Sequence, residues 1–162
     1  MERIWAPWRM EYISISKHDG RCIFCPSDIP DRDRLIVTRS SHSLLMLNRF
    51  PYSGGHLMAA PLKHTSDLDC LEDDELLDLM KMIRTARSLL VSAVRPDGFN
   101  IGINLGRAAG AGIDDHLHVH IVPRWNGDSN FMTVVGDLRV IPESLEAVYD
   151  HLAAELMKPE VP

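Results

Sequence analysis

The sequence predicts an α+β fold with an antiparallel sheet of about five strands and two helices. Short β-prone runs bounded by turn residues recur along the chain, and two longer segments carry apolar residues at helical spacing. The strands come in groups instead of alternating with helices, which argues against a parallel β-α-β arrangement. Because 162 residues suit one core and no repeat or polar linker interrupts them, we expect a single domain over residues 1–162.

The first three predicted strands lie in the N-terminal half of the chain. Residues 35–38 and 43–47 are β-prone runs, and the polar residues 39–41 between them predict a hairpin. Residues 51–55 contain a proline and two glycines, which predict a turn. The next strand then covers residues 56–60 and ends at the proline that follows.

The longest helix candidate covers residues 66–94. Acidic residues crowd its start, where they complement the positive end of the helix dipole. Its apolar residues recur at helical spacing: Leu76, Leu79, Met80, Ile83, Leu90, Val91 and Val94. Residues 99–105 follow as a strand, and a second amphipathic helix is predicted over 142–157, where Pro142 takes a favoured first position. Residues 1–33 are predicted to be irregular.

Composition limits the classes of function. Hydrophobic residues make up 45% and charged residues 25% of the chain, which is typical of a soluble globular protein. No apolar run approaches the roughly 18 residues of a membrane span, and the N-terminus lacks the apolar block of a secretory signal. We therefore expect a cytoplasmic protein without a membrane partner. The formal net charge of −6 disfavours a nucleic acid polymer, although local donors can still hold a few phosphate groups.

The three cysteines are odd in number, which argues against a disulfide framework and fits a reducing compartment. Cys22 and Cys25 have the two-residue gap of a metal-binding knuckle. The alternative for this pair is two buried free thiols. Cys70 stands apart, and we expect it to be a small buried apolar residue.

Residues 116–122 alternate histidine with apolar residues. In a strand, this period of two places His116, His118 and His120 on one face and the apolar residues on the other. Same-face neighbours are then roughly 6.5–7 Å apart, which leaves room for a phosphate group between adjacent rings. A glycine-rich loop over residues 106–112 precedes the strand, and its backbone N–H groups can approach phosphate.

Three interpretations of this histidine strand are open from the residues alone. The strand could present a polar face to water, or its histidines could chelate a metal ion. The third interpretation is catalysis, in which a neutral imidazole attacks phosphorus while neighbouring donors hold the oxygens. The surrounding sequence favours catalysis, with a metal ion in a supporting role.

The sequence resembles the histidine-triad (HIT) family of nucleotide hydrolases and transferases. Residues 116–122, HLHVHIV, resemble the defining motif of that family. Residues 48–57, NRFPYSGGHL, resemble its nucleotide-binding strand-turn-strand, and residues 61–64 resemble the segment that follows. Residues 5–9 and 123–128 resemble a branch related to diadenosine tetraphosphate phosphorylases and the fragile-histidine-type hydrolases. The resemblance covers most of the chain and implies a HIT-like fold.

The resemblance implies a role for each matching polar residue. The middle histidine of the family is the nucleophile, so His118 would attack the α-phosphorus of a nucleotide and form a nucleotidyl-histidine intermediate. His120 would contact the phosphate oxygens, and His56 would support the triad from a neighbouring strand, with a satisfied core histidine as the alternative. Asn48 matches a position that binds the nucleoside, with a strand-end turn residue as the alternative. Asn104 matches an amide near the phosphate chain.

The resemblance also implies a structural zinc ion. Relatives with the cysteine pair bind zinc through it and through two histidines, which here are His64 and His116. Cys22, Cys25 and these histidines would form a closed tetrahedral site that pins the irregular N-terminus to the sheet. No organic cofactor is implied. Relatives form homodimers, so a homodimer is expected.

One position departs from the family pattern. Gly110 and Gly112 lie in the loop that is expected to bind substrate through its backbone, but many relatives carry Gln or Ser where Gly112 stands. A side-chain donor to the leaving group is therefore missing there. The implied function is cleavage of a dinucleoside polyphosphate by hydrolysis or phosphorolysis. The alternatives are a nucleotidyl transferase or phosphoramidase, and a nucleotide-binding sensor with little turnover.

Overall fold

The structure, a computed structural model, describes residues 22–128 and 143–158. Its main elements are β1 (Ile36–Arg39), β2 (Ser43–Leu47), β3 (Leu57–Pro61), α1 (Asp73–Val94), β4 (Gly98–Ile103), β5 (Val119–Arg124) and α2 (Leu145–Leu156). The five strands form one antiparallel sheet in the order β1-β2-β3-β5-β4. This arrangement confirms the α+β prediction of about five strands and two helices.

The two faces of the sheet are both covered by apolar side chains. On one face α1 and α2 pack against a core that includes Leu45, Leu57, Leu90 and Ile121. A smaller cluster covers the other face: Phe24, Ile36, Leu44, Met46, Met58 and Ala60. Alternation along each strand explains this division, because successive side chains point to opposite faces. His118 and His120 alternate with helix-facing residues, so they lie on the face of the smaller cluster.

Helix α1 begins at Asp73, seven residues later than predicted. The aspartate at position 67 caps a separate 3-10 turn over Leu68–Cys70, and Leu71 is extended. Glu72 and Glu75 then form a reciprocal capping box that starts the α-helix. The structure exposes Cys70, so the prediction that it is buried was wrong.

The apolar stripe of α1 is only partly covered by the core. Met80 and Val91 are 60% and 40% exposed. The buried side chains of the helix are Leu79, Met82, Ala86, Leu89 and Leu90. The two exposed residues of the stripe, Met80 and Val91, therefore face away from the core. Helix α2 begins at Leu145, where the Ser144 hydroxyl caps it by accepting a hydrogen bond from the Ala147 N–H.

The predicted irregular region and its motif are only partly described. Residues 22–33 contain turns and neither a helix nor a strand, as expected. The motif over residues 5–9 and the predicted start of the last helix at Pro142 lie outside the described residues. No helix in the described ranges is long and apolar enough to cross a membrane.

The histidine strand differs from its prediction at both ends. Strand β5 begins at Val119, opposite Ala59 of β3 and Ile103 of β4. Beyond that point β3 reaches Pro61, which has no N–H to continue a ladder. At the other end Pro123 remains in the strand, where it pairs with Phe99. The ladder between β5 and β3 has already ended at Ile121, so the missing N–H of this proline costs no hydrogen bond there.

Candidate active site and metal cluster

His118 is held in one tautomer by the backbone. Its Nδ1 lies 2.9 Å from the carbonyl oxygen of His116, and a carbonyl can only accept a hydrogen bond. The proton of the neutral imidazole is therefore on Nδ1, and Nε2 carries a free lone pair. The side chain is 4% exposed, and burial lowers the pKa of His118. An aimed, neutral imidazole is what nucleophilic attack requires.

A second pair of histidines forms a directed hydrogen-bond chain. The backbone N–H of Tyr52 donates to Nδ1 of His56 over 3.1 Å, so the His56 proton is on Nε2. That Nε2 lies 3.0 Å from Nδ1 of His120 and donates to it. The proton of His120 is consequently on its own Nε2. These hydrogen bonds leave the Nε2–H of His120 as a donor that no other described histidine accepts.

The two predicted asparagines lie at opposite ends of this chain. The Asn48 side-chain oxygen accepts from the Phe50 N–H over 2.9 Å, and its Nδ2 lies 3.3 Å from Nδ1 of His56. Asn48 thus closes the turn after β2 and orients His56. The Nδ2 of Asn104 lies 3.5 Å from Nε2 of His120. Two N–H donors at this separation do not bond each other, but they can share one acceptor oxygen.

The rings of the active-site candidates are closer than expected. The ring centroids of His118 and His120 are 4.9 Å apart with an interplanar angle of 76°. The expected distance of roughly 6.5–7 Å is the two-residue repeat along a strand backbone. The two rings tilt toward each other, so their centroids are closer than that repeat. A phosphate group therefore fits in front of the two rings rather than between them. The exposed fractions of His116 and His118 are 1% and 4%, and His120 is only partly exposed. These values exclude the interpretation in which the strand presents a polar face to water.

The glycine-rich loop before β5 is exposed. Gly106 and Gly110 have φ values of 76° and 88°, a region that glycine enters without strain, and a 3-10 turn connects them. An ion pair between Arg107 and Asp114 spans the loop. Gly110 and Gly112 are both solvent-exposed, and their backbone is accessible to a ligand.

Gly55 explains how His56 reaches the triad. Its φ of 77° turns the chain from the 51–55 segment into β3, and a Cβ there would lie 3.0 Å from Leu90. The turn therefore needs glycine both for its backbone angle and for its close approach to α1. It delivers His56 to a fully buried position beside His120.

The buried His56 predicts a pH-dependent stability. Burial first, and then His120 and His118, lower the pKa of His56 to about 3. The unfolded chain takes up a proton near pH 6.5 and the folded chain does not, so stability falls as the pH drops below 6.5. We expect His56 to account for about 2 kcal/mol of lost unfolding free energy between pH 7 and pH 5. Urea unfolding of wild type and His56→Gln at both pH values measures this share, and equal losses in the two proteins would contradict it.

A second cluster joins three distant segments of the chain. The ligand atoms of Cys22, Cys25, His64 and His116 all lie within 4.8 Å of one another. The Nδ1 of His116 lies 3.2 Å from Sγ of Cys22 and 3.1 Å from Nδ1 of His64, and Nδ1 of His64 lies 3.2 Å from Sγ of Cys25. The four side chains named from the sequence are therefore together.

The cluster fits a tetrahedral metal ion. Bond lengths of about 2.0–2.3 Å in a tetrahedral zinc site place ligand atoms about 3.3–3.8 Å apart, close to the observed distances. Nε2 of His116 lies 2.9 Å from the Pro61 carbonyl and donates to it, which leaves Nδ1 as the metal-facing lone pair. Burial raises the pKa of the Cys22 thiol to about 11, so an ion that binds there has to displace a proton.

Two residues that sequence analysis missed support this cluster. Arg34 donates from Nη2 to the carbonyl oxygens of Ile23 and Cys25, over 2.6 and 2.7 Å. Phe24, the spacer between the cysteines, is fully buried and contacts the rings of both His116 and His118. A buried aromatic residue inside a knuckle is a weak sequence signal. The role of Arg34 had no sequence signal because it depends on a contact across a loop.

Comparisons with known proteins show which sequences this chain is similar to. Residues 30–127 match the model of the HIT domain family. The chain is 40% identical to a protein named AP-4-A phosphorylase of Mycobacterium tuberculosis, over 96% of this chain and 84% of that protein. It is 25% identical to an adenosine 5′-monophosphoramidase of Schizosaccharomyces pombe, over 83% of this chain and 98% of that protein.

A solved structure of a histidine triad family protein is also similar to this chain. A zinc-bound histidine triad family protein from Mycobacterium smegmatis superposes with a TM-score of 0.61 at 26% identity. The superposition covers 90% of this chain and 91% of that chain. The family model covers most of the chain, and the relative from M. tuberculosis covers nearly all of it. On these grounds the chain belongs to the HIT domain family.

Proposed function

We propose that the protein cleaves a phosphoanhydride bond of a dinucleoside polyphosphate through a nucleotidyl-histidine intermediate. The observation that carries the proposal is the state of His118, whose Nδ1 donates to the His116 carbonyl and whose Nε2 is free to attack. The name of the M. tuberculosis relative, AP-4-A phosphorylase, supports this substrate class.

In the first step, Nε2 of His118 forms a bond to the α-phosphorus, and the bond from that phosphorus to the bridging oxygen breaks. The remaining polyphosphate leaves with the electron pair as an anion. Negative charge on the non-bridging oxygens faces the Nε2–H of His120 and the amide of Asn104. Such fixed donors in a site of low polarity are the main source of stabilisation in phosphoryl transfer.

In the second step, an acceptor oxygen attacks the same phosphorus and the nitrogen–phosphorus bond breaks, which restores His118. Inorganic phosphate as acceptor gives a nucleoside diphosphate, and water gives a nucleoside monophosphate. We propose that Asn48 faces the nucleoside and that the backbone of Gly110 and Gly112 faces the polyphosphate. His56 positions His120 from behind through the 3.0 Å hydrogen bond.

The test is product analysis with diadenosine tetraphosphate, with and without inorganic phosphate. ATP plus ADP that appears only with phosphate establishes phosphorolysis. ATP plus AMP without phosphate establishes hydrolysis. No conversion under either condition would overturn the proposed substrate class and favour a nucleotide-binding sensor.

A phosphoramidase is the second candidate, because the S. pombe relative carries that name. An amine departs from phosphorus only when it gains a proton, whereas a polyphosphate departs as a stable anion. Gly112 offers no side chain that could donate the proton. This difference favours the polyphosphate substrate. Turnover of adenosine 5′-phosphoramidate that exceeds turnover of diadenosine tetraphosphate would reverse the order of the two candidates.

We further propose that the metal of the second cluster is zinc, held by Cys22, Cys25, His64 and His116. Two thiolates and two imidazoles are a set that zinc prefers, and four protein ligands leave no open position for substrate. When bound, the ion supplies a structural cross-link and not a reacting group. His116 fixes His118 through its backbone carbonyl, so the cross-link lies directly behind the nucleophile.

A homodimer formed through β4 is the expected assembly. Among the described strands, β4 pairs with β5 alone, so its other edge is open. Ile101 and Ile103 on this strand are 47% and 37% exposed. We expect wild type to elute near about 37 kDa, twice the chain mass of 18.3 kDa, and Ile101→Lys to shift toward the monomer. The control Ile29→Lys, at a 51% exposed isoleucine outside the sheet, should elute with wild type. A monomeric wild type would contradict the prediction.

A further inference from the structure

Phe24 lies between the metal cluster and the proposed nucleophile. Its side chain is fully buried although it sits between the two cysteines of the knuckle. Its ring centroid is 5.0 Å from that of His116 and 5.1 Å from that of His118. The second contact is a stacked one, with an interplanar angle of 30°. One aromatic ring thus touches both a metal-ligand candidate and the nucleophile candidate.

The hydrogen bond of His118 does not by itself fix the plane of its ring. The torsion that rotates an imidazole about its Cβ–Cγ bond has a broad energy minimum. A single hydrogen bond from Nδ1 to the His116 carbonyl restrains one edge of the ring and allows it to swing. Accurate in-line attack on phosphorus needs a second restraint on that torsion.

The two aromatic neighbours of His118 supply that restraint. Phe24 stacks on one side of the imidazole, and His120 meets it edge-on with centroids 4.9 Å apart. His120 is itself held by His56. Of the two described rings that contact His118, Phe24 lies flat against the imidazole and His120 does not, because the His120 contact is T-shaped.

The backbone on both sides of Phe24 is held in place by hydrogen bonds. Arg34 donates to the carbonyl oxygens of Ile23 and Cys25, the residues before and after it. Inside the sheet face, Phe24 packs with Leu44, Met46 and Met58. The Phe24 ring therefore has little freedom to move away from His118.

We propose that Phe24 is a positioning residue that holds the imidazole plane of His118 for attack. This inference rests on the proposed function, because the attack is the step that the position serves. Phe24 touches no reacting atom and acts through His118. It gives the knuckle a role in catalysis beyond metal binding, because the spacer between the cysteines reaches the nucleophile directly.

The test compares Phe24→Leu with Leu152→Ala in the metal-loaded protein. Leucine fills much of the site but has no flat face, so we expect kcat to fall by at least about tenfold with KM changed less than about twofold. Leu152 of α2 is fully buried in the core on the opposite face of the sheet, in a different cluster from Phe24. Leu152→Ala destabilises the fold but should keep kcat near the wild-type value.

A spectroscopic readout separates positioning from loss of stability. Long-range ¹H–¹⁵N NMR spectra of the histidine rings should show one His118 tautomer, with the proton on Nδ1, in wild type and Leu152→Ala. In Phe24→Leu we expect the ring to swing far enough to break the hydrogen bond to the His116 carbonyl, which gives a mixture of the two tautomers. The metal content of each variant is measured alongside. An unchanged tautomer, an effect on KM alone, a kcat no lower than that of Leu152→Ala, or loss of the metal together with kcat would each overturn the proposal.

The spectra also keep this proposal distinct from the proposed function. If wild type turns over no nucleotide substrate, the proposed function fails. The tautomer comparison between wild type and Phe24→Leu still decides whether Phe24 orients the His118 ring.

Discussion

The substitution His118→Asn is expected to lower kcat for diadenosine tetraphosphate by at least about 10⁴-fold, because it removes the nitrogen that we propose attacks phosphorus. An asparagine amide is similar in size and can still donate to the His116 carbonyl, as Nδ1 of His118 does over 2.9 Å. The donors on His120 and Asn104 remain in place. Nucleotide binding should therefore change by less than about tenfold. Product chromatography measures the first quantity and isothermal titration calorimetry with a nucleotide measures the second.

The matched control is His42→Asn. His42 is a partly exposed residue in the turn between β1 and β2, and the exchange is chemically the same. It should leave both kcat and affinity near the wild-type values. If His118→Asn retained turnover within about tenfold of wild type, the assignment of the nucleophile would be wrong. If wild type itself showed binding without turnover, the sensor alternative would gain support.

Much of the fold followed from simple patterns in the sequence. The β1–β2 hairpin and the alternation through residues 116–122 put the correct side chains on each face of the sheet, because a strand has a fixed period of two. The ends of elements were less accessible. The start of β5 depends on where its neighbours β3 and β4 stop pairing, and that is a property of three segments at once.

Helix α1 shows a different limit of sequence analysis. Met80 and Val91 belong to the apolar pattern of the helix, yet the structure exposes them. A helical period of 3.6 identifies a wide apolar stripe but does not reveal which part of it the sheet covers. The acidic run before Asp73 suggested a longer helix. It contains instead the caps of two separate elements, and capping residues can be assigned to an element only when its boundary is known.

The candidate site was predictable where one motif carried it and not where tertiary contacts did. The metal cluster and the histidine pair His118 and His120 could be named from their spacing and from a family resemblance. The tautomers could not, because they are set by single carbonyl and N–H groups of His116 and Tyr52. Phe24 and Arg34 act through contacts that no spacing rule describes. The chemistry of the site depends on these contacts as much as on the motif.

The substitution Cys25→Ser is expected to remove the metal and to lower stability by about 3 kcal/mol. The cluster joins the knuckle to His64 across 39 residues and His64 to His116 across a further 52. A bound ion therefore acts as a cross-link that restricts long loops of the unfolded chain. For a chain of this size, the loss corresponds to a fall of about 6–12 °C in Tm. Elemental analysis should find one zinc ion per wild-type chain and none in the variant.

Cys70→Ser is the matched control for this change. Cys70 is exposed in the 3-10 turn before α1 and lies outside the cluster, so the same exchange should leave metal content and Tm unaltered. A chelator provides the complementary measurement, because it should lower the Tm of wild type and Cys70→Ser but not that of Cys25→Ser. If Cys25→Ser kept one zinc ion per chain, the ligand set would be wrong. If wild type were insensitive to the chelator and held no metal, the two cysteines would be free thiols, and the packing of Phe24 and the hydrogen bonds from Arg34 would hold the knuckle.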